Sequence, residues 1–238
     1  MVISLWSGPR SMSTALMYSM AQRSDMRVLD EPLYAHFLRH TGAERPCREA
    51  TLAGRPSDSE AALAYMTPKP EEWGEDRHLF CKHIANNTLG LPWSTFDGHR
   101  HVILFRNPAA VMASYGAHIT RPLMRDLCYD HQLNLLRTLD AEGTSPVVIC
   151  SDRLQAEPER ILRDLCVNLG LSWDPAILTW TAGARPEDGP WAKWWYGGVH
   201  ASTGWEARPP QKKVVPAHLE DLHEQCLGSY HELLQRAL

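Results

Sequence analysis

Ser7-Gly8-Pro9-Arg10-Ser11-Met12-Ser13-Thr14 lies between an apolar run and a helical pattern. A strand-to-helix turn there aims backbone N–H groups and the positive helix end at one point, which Arg10 and the hydroxyls of the segment also surround. An anion is the natural occupant. The segment is not a Walker A loop, which would need Gly and Lys where Ser13 and Thr14 stand, and this speaks against a standard ATP or GTP hydrolase. The plainer alternative is a turn capped by Ser13. Phe105-Arg106-Asn107-Pro108 ends a second apolar run, and Ser114 follows eight residues after Arg106. An arginine at a strand's carboxyl end can pair with a phosphate through two parallel hydrogen bonds, or simply form a surface ion pair. His99-Arg100-His101 places two imidazoles on one strand face, but no Cys or carboxylate partner stands at ligand spacing, so no metal site is expected.

These residues need a scaffold of short strands and amphipathic helices. Apolar runs at Val2–Trp6, Arg27–Leu29, His78–Cys81, His101–Phe105 and Pro146–Cys150 read as buried strands. Helices are expected from Ser13 to about Gln22, from Pro108 to Tyr115, from Leu123 to Leu139, from Pro158 to Leu169 and from Pro216 to Leu238. Strands alternating with helices predict an α/β fold, three layers deep, with a central parallel sheet. The tryptophan-rich stretch Gly183–Pro210 reads as a long ordered loop, and the polar stretch Thr41–Asp58 as a mobile insertion.

The chain has 238 residues, 44% of them hydrophobic and 22% charged, which is enough for one sizeable core. A single domain over residues 1–238 is expected. A net charge of −4 and a pI near 6.3 argue against nucleic-acid binding by bulk charge. No apolar run is long enough to cross a bilayer, and the first residues lack the basic start of a signal peptide. Six cysteines without a C-x-x-C spacing predict free thiols in a reducing, cytoplasmic setting.

Taken in order, these segments resemble the PAPS-dependent sulfotransferase family. Gly8-Pro9-Arg10-Ser11-Met12-Ser13-Thr14 is similar to its 5′-phosphosulfate loop, with Arg10 where many members have lysine. Arg106-Asn107-Pro108 with Ser114 is similar to its 3′-phosphate motif. Cys150-Ser151-Asp152-Arg153-Leu154, Pro158 and Leu165 to Leu171 are similar to a later strand–loop–helix block. The match runs over roughly residues 1 to 173. Beyond it, Trp194 to Trp205 stands where the family has a glycine-containing loop over the nucleotide. Trp195-Tyr196-Gly197 replaces its Arg-Lys-Gly run, which leaves Ser202 or Thr203 as substitute contacts. With Leu29-Asp30-Glu31-Pro32-Leu33 and Lys82-His83, the whole is closest to bacterial or aminotransferase-associated sulfotransferase-like domains.

The resemblance implies a P-loop kinase-like fold. It also implies transfer of a sulfuryl group from PAPS (3′-phosphoadenosine 5′-phosphosulfate) to a hydroxyl or amine of a small acceptor, with PAP as product and no metal. Gly8, Pro9, Arg10, Ser11, Met12, Ser13, Thr14, Arg106 and Ser114 would bind the nucleotide, and Arg10 would also act in catalysis. Lys82-His83 stands near the family's Lys-x-His, while Glu31 stands where other branches place a catalytic glutamate. His83 is the expected base, because an imidazole is half-titrated near working pH whereas a carboxyl must be raised by burial. Asp30 is expected to face away from Glu31, since neighbouring strand residues point to opposite faces. Two other readings stay open: a small-molecule kinase of the same P-loop type, and an inactive module that binds a nucleotide or anion.

Overall fold

The computed structural model describes residues 1–74, 77–116, 119 and 121–238. Five strands, β1 (Val2–Ser7), β2 (Met26–Asp30), β3 (His78–Ile84), β4 (Arg100–Phe105) and β5 (Val147–Cys150), form a central parallel sheet of order β2-β3-β1-β4-β5. Their near-continuous burial explains why they are runs of apolar residues rather than alternating ones. The Gly8–Thr14 loop, Glu31, Lys82-His83 and Arg106 follow or lie at the carboxyl ends of β1, β2, β3 and β4. Ligands gather at such ends in open α/β sheets. All five expected strands are present, most of them extended by a residue or two at their ends.

The sequence reading puts one domain over residues 1–238; the contacts group the chain into two compact units, each built from three separate stretches. The first comprises Met1–Leu5, Thr14–Arg100 and Asp174–Gly204. In it β2 pairs with β3, Asp30 opposite Lys82, and the Glu31 N–H extends the ladder by donating to the Lys82 carbonyl at 2.9 Å. The second comprises Trp6–Ser13, His101–Trp173 and Trp205–Leu238, with β4 paired to β5. Its buried Gln132 donates to the carbonyls of Trp6 at 3.0 Å and Leu104 at 2.8 Å. The terminal helix Glu220–Arg236 lays Cys226, Tyr230 and Leu233 inward against the helices Pro108–Tyr115 and Tyr129–Ala141. Beyond it the Leu238 N–H donates to the Val148 carbonyl at 3.0 Å.

Several expected elements differ. The single helix from Leu123 to Leu139 is two, Met124–Leu127 and Tyr129–Ala141, because Cys128 adopts a left-handed backbone (φ 67°) between them. Apolar spacing cannot register one residue that breaks the backbone path. The first helix stops at Met20, and the last begins at Glu220 after a short 3₁₀ turn. The stretch Thr41–Asp58 carries a helix, Arg48–Gly54, with Thr51 buried. The tryptophan-rich loop holds two short helices, Ala192–Trp195 and Gly197–His200. Among the described residues no helix is long and apolar enough to cross a membrane.

Candidate active site

In the second unit the loop after β1 is held in a strained, open turn. Arg10 (φ 55°) and Met12 (φ 64°) both take the left-handed conformation, and Ser11 between them does not. Such alternation turns successive N–H groups toward one concavity, a nest suited to an anion. Left-handed backbone costs a residue with a Cβ of order 1 kcal/mol or more, and it persists where surrounding contacts over-determine it. Those contacts are present: the buried Ser151 hydroxyl reaches the Ser11 carbonyl at 2.7 Å and the Phe105 carbonyl at 2.8 Å. Gly8 has no room for a side chain, since a Cβ there would sit 2.9 Å from the Leu127 carbonyl oxygen. Gly8→Ala is therefore expected to displace the loop and abolish anion binding while leaving the sheet folded. Phosphate titration beside far-ultraviolet circular dichroism would check this.

Arg10, Arg106 and Ser114 come together around this loop. Arg10 Nε donates to the Ser114 hydroxyl at 2.9 Å, and Arg106 Nη1 donates to the Arg10 carbonyl at 3.2 Å. Burial first, and then the neighbouring Arg106 charge, push the Arg10 guanidinium below its ordinary range. A carboxylate answers part of this charge: Asp152 Oδ1 lies 3.6 Å from Arg106 Nε, while its Oδ2 accepts the Asn107 N–H at 2.9 Å. The buried Tyr129 hydroxyl donates to the Arg106 carbonyl at 2.7 Å, which fixes the strand end. Asn107 caps the helix Pro108–Tyr115 that carries Ser114, by accepting from the Ala109 N–H at 2.9 Å.

Beside Arg106 lies a cavity of about 120 Å³, lined also by Asp152, Gln155, Arg208, Gln211 and Lys213. Three cations face one carboxylate there. The Arg208 N–H donates to the Gln155 carbonyl at 3.0 Å and holds the chain at the cavity, while its side chain pairs with Glu206. The sequence reading missed Arg208 and Lys213. Their Arg-Pro-Pro-Gln-Lys-Lys run was a visible cluster of charge, but its place beside Arg106 is a tertiary fact.

In the first unit Lys82, 1% exposed, joins two carboxylates. Its ammonium lies 2.8 Å from Asp30 Oδ1 and 2.8 Å from Glu31 Oε1. Asp30 and Glu31 thus share a partner, against the expectation that they face apart. The cause is local: β2 ends at Asp30, and Glu31 takes a positive φ of 44°, which breaks the alternation of the strand. Burial would lower the Lys82 pKa, but Asp30 and Glu31 outweigh it and hold it well above the ordinary range. Burial raises the Glu31 carboxyl, Asp30 adds to the rise, and Lys82 and Tyr196 oppose it. Glu31 is 8% exposed.

His83, the base expected from the sequence, is 0% exposed, with its ring edge-on to Phe96 at 6.3 Å. It is the strand neighbour of Lys82, so its side chain takes the other face of β3. His83 is thus enclosed in the core, whereas Glu31, the other candidate, is 8% exposed. Two further candidates, Ser202 and Thr203, lie in the tail. The Ser202 hydroxyl donates to the Val199 carbonyl at 2.8 Å and accepts from Trp180 Nε1 at 3.2 Å, so its proton is committed within the loop. Thr203 is exposed, and its carbonyl accepts the Trp180 N–H at 2.9 Å. The two histidines weighed as ligands are engaged elsewhere: His99 Nδ1 lies 2.8 Å from the Ser4 hydroxyl, and His101 Nδ1 accepts from Trp6 Nε1 at 3.0 Å.

Comparison with known proteins agrees with this architecture. The sulfotransferase domain family model matches residues 1–237. Branched-chain-amino-acid aminotransferase-like proteins 2 and 1 of Arabidopsis thaliana are 41% and 40% identical over 233 residues, 98% of this chain. The chain spans about two-fifths of the length of either relative (41%). The sulfotransferase domain from the Synechococcus PCC 7002 olefin synthase has a similar fold, with TM-score 0.58, 17% identity and 94% of each chain covered. A sulfotransferase from Alicyclobacillus acidocaldarius is also similar, with TM-score 0.55, 14% identity and coverage of 100% of this chain and 97% of that one. The chain belongs to the sulfotransferase domain family.

Proposed function

We propose that the protein transfers a sulfuryl group from PAPS to a hydroxyl or amine of a small acceptor. The observation that carries the reading is the pair of arginines: Arg10 on the strained loop and Arg106 at the end of β4, whose Nη1 donates to the Arg10 carbonyl at 3.2 Å. Two guanidiniums held this close favour an anionic ligand. The cavity lined by Arg106, Arg208 and Lys213 gathers three cations, and we assign it to the 3′-phosphate.

The acceptor attacks sulfur in line with the bridging oxygen. The bond from sulfur to the acceptor forms as the bond from sulfur to the 5′-phosphate oxygen breaks, and the acceptor's proton passes to Glu31. The protein contributes position and charge, as in phosphoryl transfer. Arg10 and the loop N–H groups stabilise the charge that grows on the leaving phosphate. Glu31 suits its task because burial has raised it toward working pH while a small part of it remains open.

The test is a transfer assay with PAPS and a panel of small alcohols and amines. Arg10→Ala is expected to lower kcat about 10²–10³-fold, the usual loss for one oxyanion donor, with a smaller change in KM for PAPS. A normal kcat with a raised KM would reduce Arg10 to a binding residue, and no transfer to any acceptor would remove the assignment.

A further inference from the structure

We propose that Tyr196 is a positioning residue for Glu31: its hydroxyl pins the Lys82 ammonium between Asp30 and Glu31, and so determines how much of that single positive charge Glu31 receives. The inference rests on the reading of Glu31 as the base.

An ammonium has three N–H groups to give. Those of Lys82 go to Asp30 Oδ1 at 2.8 Å, Glu31 Oε1 at 2.8 Å and the Tyr196 hydroxyl at 2.6 Å, so none is spare. The hydroxyl in turn accepts from Trp191 Nε1 at 2.9 Å and gives its one proton to Asp30, at 2.8 Å and 2.9 Å from the two carboxylate oxygens. Asp30 also accepts the Gly189 N–H at 3.1 Å. Gly189 can approach because it lacks a side chain; a Cβ there would meet the Trp191 ring at 2.2 Å. Thus Asp30 is satisfied in part by neutral donors, and the Lys82 charge is left to be shared with Glu31. All of these groups are buried, where small displacements of charge weigh most.

Removing the hydroxyl takes a neutral donor from Asp30 and leaves one Lys82 N–H without its acceptor. Asp30 then draws the ammonium toward itself, and Glu31 loses part of its counter-charge. Among the described residues, the groups that act on Glu31 are Asp30 from β2, which pushes its carboxyl up, Lys82 from β3, which holds it down, and Tyr196 from the end of the helix Ala192–Trp195, which acts through its bonds to Lys82 and Asp30. Loss of the hydroxyl therefore acts upward. A general base that keeps its proton to higher pH shifts the acid limb of the rate profile to higher pH.

Tyr196→Phe keeps the ring against Lys82, 4.9 Å away, and against Trp191, and deletes only the hydroxyl. Carbon-13 titration of the carboxyl signals, with Glu31→Gln used to assign Glu31, reads the effect without any substrate. The Glu31 midpoint is expected to rise by roughly half a pH unit or more in Tyr196→Phe. The acid limb of the transfer profile should rise with it, an approximately threefold loss of rate well below the limb and little change above it. An unmoved midpoint overturns the proposal. Should Tyr196→Phe fail to fold, Trp191→Phe removes the indole donor to the same hydroxyl and should move the midpoint in the same direction by less; an unmoved midpoint there is equally fatal. If Glu31→Gln retains turnover, the reading of Glu31 as base falls, while the titration still decides what Tyr196 does to the carboxyl. If Glu31→Gln abolishes turnover and Tyr196→Phe leaves the midpoint in place, the positioning role alone falls.

Discussion

Lys82→Met is expected to cost about 3–5 kcal/mol of folding free energy at neutral pH, enough to unfold much of the population of a marginal domain. Methionine is an unbranched side chain only one atom shorter than lysine, so the loss is chiefly electrical rather than steric. Lys82 is buried between Asp30 and Glu31, and both carboxylates would be left in the core without its ammonium. The pH dependence gives the sign. Glu31 is already held above the usual carboxylate range, so its contribution is fully present below its unfolded pKa and is lost as pH rises through the folded value. Removing Lys82 moves that folded value higher still. The deficit of Lys82→Met should therefore be largest near pH 7 and shrink as pH falls toward the unfolded carboxylate range of about 4. Urea unfolding at several pH values would check it, and a variant as stable as the parent at pH 7 would mean that the three groups do not form a charge cluster.

Arg106→Ala should weaken PAP binding by roughly 2–5 kcal/mol, or about 30- to several-thousand-fold in Kd. The truncation leaves a buried phosphate without its bidentate partner and frees Asp152 to repel it. Arg106→Lys should restore only part of the loss, because a point charge cannot reproduce the guanidinium fork. Arg106 also donates to the Arg10 carbonyl, so part of the effect passes through the shape of the loop. Binding of 5′-AMP to the same variants separates the two contributions: a change shared by AMP and PAP belongs to the loop, and the excess for PAP belongs to the 3′-phosphate. PAP affinity like the parent's would leave Arg106 as no more than the end of β4.

The strands were legible because a parallel strand covered on both faces must be an apolar run, and Val102-Ile103-Leu104-Phe105 or Val147-Val148-Ile149 admit little else. The Gly8–Thr14 loop and Arg106 with Ser114 were legible because glycine, arginine and hydroxyls stand at fixed offsets from those strand ends. What escaped depended on single backbone angles or on distant partners. The positive φ of Glu31 brings two carboxylates onto one lysine, and no alternation rule reports it. Cys128 divides a helix that apolar spacing makes continuous. Tyr196 lies 166 residues from Asp30, and Arg208 joins Arg106 only because its backbone is held by Gln155. His83 was legible from its chemistry and from its place near a Lys-x-His pattern, but its burial against Phe96 was not.

Binding of PAP beside 5′-AMP is the most direct test of whether the two arginines serve a nucleotide with a separate 3′-phosphate. A ligand that binds only the folded state stabilises it by about 2.7 kcal/mol at a hundredfold excess over Kd, which a thermal unfolding curve resolves readily. PAP should raise Tm clearly, and 5′-AMP at the same concentration should raise it much less, because Arg106, Ser114 and the cations beside them would have no 3′-phosphate to meet. Equal shifts from PAP and AMP, or none from either, would contradict the assignment.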